Sequence, residues 1–132
     1  MPKISIEWDR DWRFDAYDSK NMPVDIDGRQ QAGVKPSDLL PIALAACSGT
    51  DLVQVLGAQM TSLGIEASFT QQTEAPWGFQ RIKLHYTISG SGLTEPAVAE
   101  AIRKSEHEMC SVAASISVPV ESTFEIVPSP DK

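Results

Sequence analysis

The sequence predicts an α+β fold with mainly antiparallel strand pairing, and three observations support this class. Strand-like segments occur in runs, three before a long helical stretch and two after it, instead of alternating singly with helices. The long stretch, from Pro36 to Leu63, is followed later by a shorter amphipathic helix and one final strand. Because no repeat or linker interrupts the 132 residues, we expect residues 1–132 to form one domain with a loose tail at 127–132.

The strands are predicted by alternation of apolar and polar residues, as where Ile4, Ile6 and Trp8 alternate with polar neighbours. The six predicted strands are residues 4–9, 12–17, 22–26, 65–73, 79–89 and 118–127. The turn-like sequence Ala-Pro-Trp-Gly, residues 75–78, separates the fourth strand from the fifth. These two strands are therefore expected to form a hairpin.

Glycine and proline mark the ends of the two predicted helices. Gly64 is expected to stop the first helix, because glycine readily adopts the backbone conformation that ends helices. Pro96 fits the first turn of the second helix, with Thr94 or Glu95 near its cap. This second helix is expected to end near Met109.

The first helix has no polar face between Leu39 and Cys47. A helix that is apolar on every side must be buried on every side. One small sheet covers a single face of such a helix, so a second subunit is the simplest source of the remaining cover. The sequence therefore predicts a homodimer.

Composition and charge exclude several classes of partner. The net charge of −7 and the isoelectric point near 4.7 leave no basic face for nucleic acid. No unbroken apolar run reaches ~18 residues, so no membrane span is expected. The first residues lack the apolar core of a signal peptide. We therefore expect a cytoplasmic protein.

The chain has two cysteines, Cys47 inside the first helix and Cys110 just after the second. In a reducing compartment such a pair is not expected to be a structural disulfide. The two thiols could instead form a redox pair, in which one is oxidised to a sulfenic acid and the other traps it as a disulfide. They could also be inert buried residues, or bind a metal with His85 and His107, although the spacing matches no zinc motif.

Two segments resemble the signatures of the OsmC/Ohr family, which contains osmotically inducible protein C and the organic hydroperoxide resistance proteins. Residues 36–40, Pro-Ser-Asp-Leu-Leu, leading into residues 43–47, Ala-Leu-Ala-Ala-Cys, resemble the first signature. Residues 108–112, Glu-Met-Cys-Ser-Val, resemble the second, in which a helix ends at a cysteine. The likeness extends over residues 4–126 and is greatest to the less-characterised OsmC-like branch.

The resemblance implies a fold, an assembly and an activity. The fold is the OsmC-like one, with antiparallel sheets wrapped around long central helices in an intertwined homodimer. The activity is thiol-dependent reduction of organic hydroperoxides, with an external dithiol as reductant and no cofactor. Cys47 matches the cysteine that attacks the peroxide, and Cys110 matches the cysteine that resolves the sulfenic acid to a disulfide.

The resemblance also implies an arginine and a glutamate near the reactive sulfur. Arg29, in the loop before the long helix, is the expected arginine, and it would lower the Cys47 pKa and hold a peroxide oxygen. Arg10 and Arg13 are the alternatives. Each could equally be a solvated surface charge.

The position that holds glutamate in the best-studied branch is Ser37 here, so Asp38 is the nearest acid. On one straight helix Asp38 would lie about 180° round from Cys47 and about 13 Å along the axis. Asp38 can therefore act on Cys47 only if the helix proper begins at Pro41 and the preceding segment folds back. Otherwise it lies in the first helical turn and stabilises the helix dipole.

Two other functions stay open at this point. The chain could keep the fold but act as a small-molecule-binding or stress protein without efficient peroxidase chemistry, which the absence of glutamate at position 37 favours. It could also be a structural dimeric module with inert thiols.

Overall fold

The structure is a computed structural model, and it describes residues 1–129. The chain divides into two compact units, one running from Met1 to Leu40 and one beginning at Pro41. Each unit contains one three-stranded sheet, and the second also contains helices, so the predicted α+β class is confirmed. Of the predicted tail, Val127 donates its N–H to the Ile88 carbonyl at 2.8 Å. Residues 130–132 lie outside the described residues.

The first unit is an antiparallel sheet of three short strands in sequence order. The strands are β1 (Ser5–Arg10), β2 (Arg13–Tyr17) and β3 (Pro23–Asp27). Trp8 pairs with Phe14, and Phe14 pairs with Ile26, which places these apolar side chains on one face. Trp8 on that face is 67% exposed. All three strands were predicted from the sequence.

The second unit contains the sheet that supports the core. It comprises β4 (Ser62–Gln71), β5 (Phe79–Ser89) and β6 (Val120–Ile126), with β5 in the centre. The β4–β5 hairpin is antiparallel as predicted, whereas β6 pairs with β5 in parallel. The alternate β5 residues on the inner face are at most 1% exposed, and these are Ile82, Leu84, Tyr86 and Ile88.

Helices complete the core of the second unit. Helix α1 (Leu39–Leu56) follows one 3-10 turn, Pro36–Asp38, and precedes another, Gly57–Gln59. Helix α2 spans Glu95–Lys104. Both helices share one buried cluster with β5, to which they contribute Leu44, Leu52, Leu56, Val98, Ala101 and Ile102.

The end of the first helix differs from the prediction, whereas the start of the second agrees with it. The first helix does not run to Leu63, because Gly57 takes a φ of +55°, a conformation that glycine adopts at no steric cost. β4 then begins at Ser62. The second helix begins as predicted, with the Thr94 hydroxyl accepting from the Ala97 N–H at 3.2 Å.

The segment after α2 also departs from a regular helix. α2 gives way to a π-helical segment, Ser105–Met109, so the chain reaches the predicted end at Met109 in altered geometry. The short helix α3 (Ser111–Ser115) follows, which the sequence did not predict. Because π-helical geometry in proteins frequently accompanies functional sites, this segment points to the cysteine that follows it.

One helical segment, Pro36–Gln59, has the length and apolar composition of a membrane-spanning helix. No unbroken apolar run of ~18 residues marks this segment, because Ser48, Thr50 and Asp51 follow Cys47. The core helix of a globular protein has the same length and composition, and α1 carries buried Ser48 and Asp51 and contributes Leu44 and Leu52 to the core. We therefore interpret α1 as a core helix.

Candidate active site

The structure brings together the two cysteines that the sequence places 63 positions apart (110 minus 47). Cys47 lies in the middle of α1, and Cys110 follows the π-helical segment and caps α3. The two sulfurs and a carboxylate oxygen of Asp51 all lie within 4.8 Å of one another. Both cysteines are free thiols, Cys47 half-buried and Cys110 only 3% exposed. A disulfide between them therefore requires only a small movement.

Cys47 is the more acidic of the two thiols. Burial raises the pKa of Cys47, but the Cys110 thiol, the Val112 N–H and the Ser111 hydroxyl together outweigh that effect. Asp51 opposes them, because its negative charge disfavours the thiolate. The net result is a Cys47 pKa below its ordinary value, and a lowered pKa is typical of a nucleophilic cysteine.

Cys110 is held in its neutral form. Burial raises the pKa of Cys110, and the hydrogen bond that its thiol donates to Cys47 raises it further. The Ala113 N–H lies 3.3 Å from the Cys110 sulfur and acts in the opposite direction without reversing the shift. The pair is thus asymmetric: Cys47 favours the thiolate, and Cys110 is a thiol that must lose a proton before it can attack.

A buried hydrogen-bonded chain leads from the sheet to the thiols. The Tyr86 hydroxyl and Ser48 Oγ share a hydrogen bond of 2.6 Å. Ser48 Oγ lies 3.1 Å from Ser105 Oγ, which donates to Asp51 Oδ2 at 2.8 Å. Because all four residues are buried, this series of hydrogen bonds fixes the position of the Asp51 carboxylate.

A cavity of about 260 Å³ opens beside Cys110. Its lining combines polar groups of α1 and the π-helical segment with apolar side chains of the sheet. The polar members include Ser48, Ser105, Glu106 and His107. The cavity could therefore admit a small molecule with one apolar and one polar end.

Cys47, Cys110 and Asp51 also form a group of donor atoms near enough to hold a metal ion. Among residues 1–129 neither histidine belongs to this group. His85 instead contacts Thr123 at 2.7 Å on the sheet, and a structural zinc site takes four ligands. The group therefore offers one ligand fewer than a structural zinc site requires.

The arginines expected near the thiol belong to the first unit. The Arg29 guanidinium stacks on the Trp12 ring, 4.6 Å from its centre. Arg13 forms an ion pair with the buried Asp27 at 3.7 Å, and Arg10 pairs with Asp9 at 3.5 Å on the surface. The predicted role of Arg29 at Cys47, with Arg10 and Arg13 as alternatives, stays a prediction.

Asp38 lies in the 3-10 turn before α1 and not inside the helix. Its Oδ2 is 3.4 Å from the Gln30 side-chain nitrogen. Because α1 begins at Leu39, directly after Asp38, and not at Pro41, Asp38 lies in the first helical turn, the placement expected for a carboxylate that stabilises the helix dipole. The action of Asp38 on Cys47 stays a prediction.

Two carboxylates of structural importance were missed from the sequence. Asp51 follows Cys47 by four positions, and that spacing places both on one face of a helix. Asp27 is 2% exposed and organises the loop that carries Arg29, accepting the N–H groups of Arg29, Gln31 and Ala32. These bonds, that of Arg29 first, lower the pKa of Asp27 despite its burial. The helical spacing was a usable signal for Asp51, whereas Asp27 had none.

Comparison with known proteins identifies relatives for most of the chain. Residues 28–125 match the model of the OsmC family, described as OsmC-like protein. The chain is 31% identical over 97 residues to Protein YhfA of Escherichia coli strain K12, covering 70% of this chain and 72% of that protein.

Two solved structures show the same fold. A hypothetical protein from Aquifex aeolicus is 20% identical with a TM-score of 0.87, covering 98% of each chain. The organic hydroperoxide resistance protein OhrB of Bacillus subtilis is 19% identical with a TM-score of 0.59, covering 96% of this chain and 98% of that one.

Proposed function

Because this chain belongs to the OsmC-like protein family, we propose that it is a thiol peroxidase that reduces organic hydroperoxides. The observation that carries the proposal is the asymmetric thiol pair, with sulfurs within 4.8 Å and a lowered pKa at Cys47. The likeness in fold to a hydroperoxide resistance protein supports the same chemistry. The expected location is the cytoplasm, where dithiol reductants are available.

The reaction proceeds in three steps. The Cys47 thiolate attacks the distal peroxide oxygen, the O–O bond breaks, and the alkoxide leaves as an alcohol after taking a proton. Cys47 is now a sulfenic acid, which Cys110 attacks to form a disulfide and release water. An external dithiol then reduces the disulfide through a mixed disulfide and restores both thiols.

A homodimer is part of this proposal. In the single chain one stripe of α1 is apolar and exposed, with Ile42 at 49% and Val53 at 55%. The apolar face of β1–β3 is exposed as well. Apolar surfaces of this kind mark protein interfaces, and a second copy of the chain would cover both.

Arg29 and Asp38 are proposed to assist Cys47. A guanidinium near the sulfur would favour the thiolate and hold a peroxide oxygen. Asp38 would take the place of the family glutamate and pair with that guanidinium.

The test is peroxide consumption with a dithiol reductant by wild type and by Cys47→Ser. Wild type should turn over an organic hydroperoxide repeatedly, and Cys47→Ser should consume none while keeping its circular dichroism spectrum. Cys110→Ser is the matched variant, and it should consume about one equivalent and then gain oxygen at Cys47. Wild-type turnover by Cys47→Ser would contradict the proposal.

A second candidate is a small-molecule-binding protein without efficient peroxidase activity. The cavity of about 260 Å³ beside Cys110 and the serine at position 37 favour it. A wild-type protein that leaves hydroperoxide unconsumed and keeps both thiols would support this candidate.

A further inference from the structure

Asp51 is a buried carboxylate to which the proposed reaction so far gives no task. It is 7% exposed, and one of its oxygens lies within 4.8 Å of both sulfurs. Among residues 1–129 no lysine, arginine or histidine forms an ion pair with it. Carboxylates are seldom buried without a cation, because the loss of hydration is costly. Such a group beside a reactive thiol is a candidate for function.

We propose that Asp51 is the general base of the resolving step, taking the proton of the Cys110 thiol as Cys110 attacks oxidised Cys47. This inference deepens the proposed function and rests on it.

The step balances without another reactant. The Cys110 sulfur forms a bond to the Cys47 sulfur as the S–O bond of the sulfenic acid breaks. Asp51 takes the thiol proton and passes it to the departing hydroxide, which leaves as water. The products are one disulfide and one water, and the Asp51 carboxylate returns to its ionised form.

The need for a base follows from the environment of Cys110. Burial raises the pKa of Cys110, and this cause persists when Cys47 is oxidised, so the resolving group is a thiol at neutral pH. Only the thiolate is a competent nucleophile. Resolution therefore requires removal of a proton from a thiol that is only 3% exposed.

The geometry suits Asp51 for this task. Asp51 and Cys47 lie four residues apart and therefore share one face of α1. Their side-chain ligand atoms both lie within 4.8 Å of the Cys110 sulfur. Ser105 donates to Oδ2 at 2.8 Å, and a carboxylate has further lone pairs to receive a proton. The hydrogen bonds from Ser105 to Ser48 and from Ser48 to Tyr86 hold the Ser105 side chain in place.

Other titratable groups near the pair provide the competing assignments. Glu106 and His107, on the π-helical segment, line the same cavity as Cys110. Tyr86, on β5, is a buried phenol whose pKa is raised by burial, so it is neutral and cannot serve as the base. The Ser122 hydroxyl donates to Glu106, which fixes that carboxylate toward β6.

The two steps can be separated without peroxide by using the chromogenic disulfide of thionitrobenzoate. Attack by Cys47 releases one coloured thiolate and leaves a mixed disulfide on the protein. Attack by Cys110 on that mixed disulfide releases the second coloured thiolate and closes the protein disulfide. Stopped-flow absorbance should therefore show two phases of equal amplitude in wild type.

Asp51→Asn should slow the second phase without slowing the first. Asparagine keeps the shape and accepts from Ser105, but it cannot take a proton at neutral pH. The second phase should slow by about 100-fold, within the range for loss of a general base. The first phase should be no slower, and its pH midpoint should fall, because the Asp51 charge raises the Cys47 pKa. Glu95→Gln, at an exposed carboxylate in the first turn of α2, is the matched control, and both of its phases should stay within about twofold of wild type. Glu106→Gln and His107→Gln test the competing assignments, and neither should slow the second phase by about 100-fold.

Wild type itself gives a second readout that does not depend on how Asp51→Asn folds. With an internal base the second-phase rate should be nearly independent of pH across the neutral range. Without one, it should rise tenfold per pH unit up to the Cys110 pKa.

Three outcomes would overturn the inference: an unchanged second phase in Asp51→Asn, slowing of that phase in Glu106→Gln or His107→Gln instead, or a tenfold rise per pH unit in wild type. Failure of the proposed function would look different. Wild type would then complete both phases with the chromogenic disulfide and yet leave organic hydroperoxide unconsumed.

Discussion

Removal of one buried hydroxyl should measure how much the polar chain beside the thiols contributes to stability. Ser105 is fully buried, and its Oγ donates to the Asp51 carboxylate at 2.8 Å. Ser105→Ala leaves that buried carboxylate without this donor and removes a partner of Ser48. A hydrogen bond to a charged group contributes about 1.5–3 kcal/mol. We therefore expect the free energy of unfolding to fall by about 1.5–3 kcal/mol.

The assay is urea unfolding followed by circular dichroism, at several protein concentrations because a dimer unfolds at a concentration-dependent midpoint. Equal slopes against denaturant are required before midpoints are compared. Ser115→Ala is the matched control, since Ser115 is an exposed helical serine and such surface changes cost less than about 0.5 kcal/mol. A loss in Ser105→Ala no larger than in this control would refute the reasoning, because it would mean that water from the adjoining cavity replaces the hydroxyl.

Further expectations concern the thiols, the arginine and the assembly. Cys110→Ala should move the pH midpoint of Cys47 alkylation upward, because the Cys110 thiol is the strongest of the groups that lower the Cys47 pKa. Cys110→Ser should move this midpoint less, because the serine hydroxyl can still donate a hydrogen bond to Cys47. Equal midpoints in both variants and in wild type would contradict this prediction. Arg29→Ala should also raise that midpoint if Arg29 reaches Cys47, whereas Lys20→Ala, another exposed cation of the first unit, should not. Light scattering of wild type should give twice the 14.4 kDa chain mass. Val53→Asp places a charge in the proposed interface, so the measured mass of this variant should shift toward that of one chain. A wild-type monomer with full activity would exclude the dimer.

Local sequence patterns predicted most of the helices and strands. Alternation of apolar and polar residues predicted β1 to β3 and the β4–β5 hairpin, because the apolar side chains of these paired strands lie on one face of each sheet. The end of α1 was missed because Gly64 was taken as the stop and a single glycine such as Gly57 is often tolerated inside a helix. At Gly57 a positive φ ends the regular helix, and a 3-10 turn follows. The parallel pairing of β6 with β5 depends on where the chain returns after α3, which no local pattern encodes.

The site could be predicted only in part for a related reason. The resemblance named Cys47 and Cys110, but their approach to within 4.8 Å arises from the packing of α1 against the π-helical segment. Asp51 could have been found from its spacing to Cys47. Its burial and its bond to Ser105 depend on residues far away in sequence, so its chemical importance emerges only from the fold.

The central claim is that Cys47 and Cys110 act as one peroxide-reducing pair, and thiol counting tests it most directly. Reduced wild-type protein is treated with one equivalent of an organic hydroperoxide without reductant, and free thiols are then titrated and the linked peptides mapped by mass spectrometry. The account predicts loss of both thiols per chain, one alcohol released, and one disulfide between Cys47 and Cys110 of the same chain. Retention of both thiols, or loss of one with no disulfide, would contradict it.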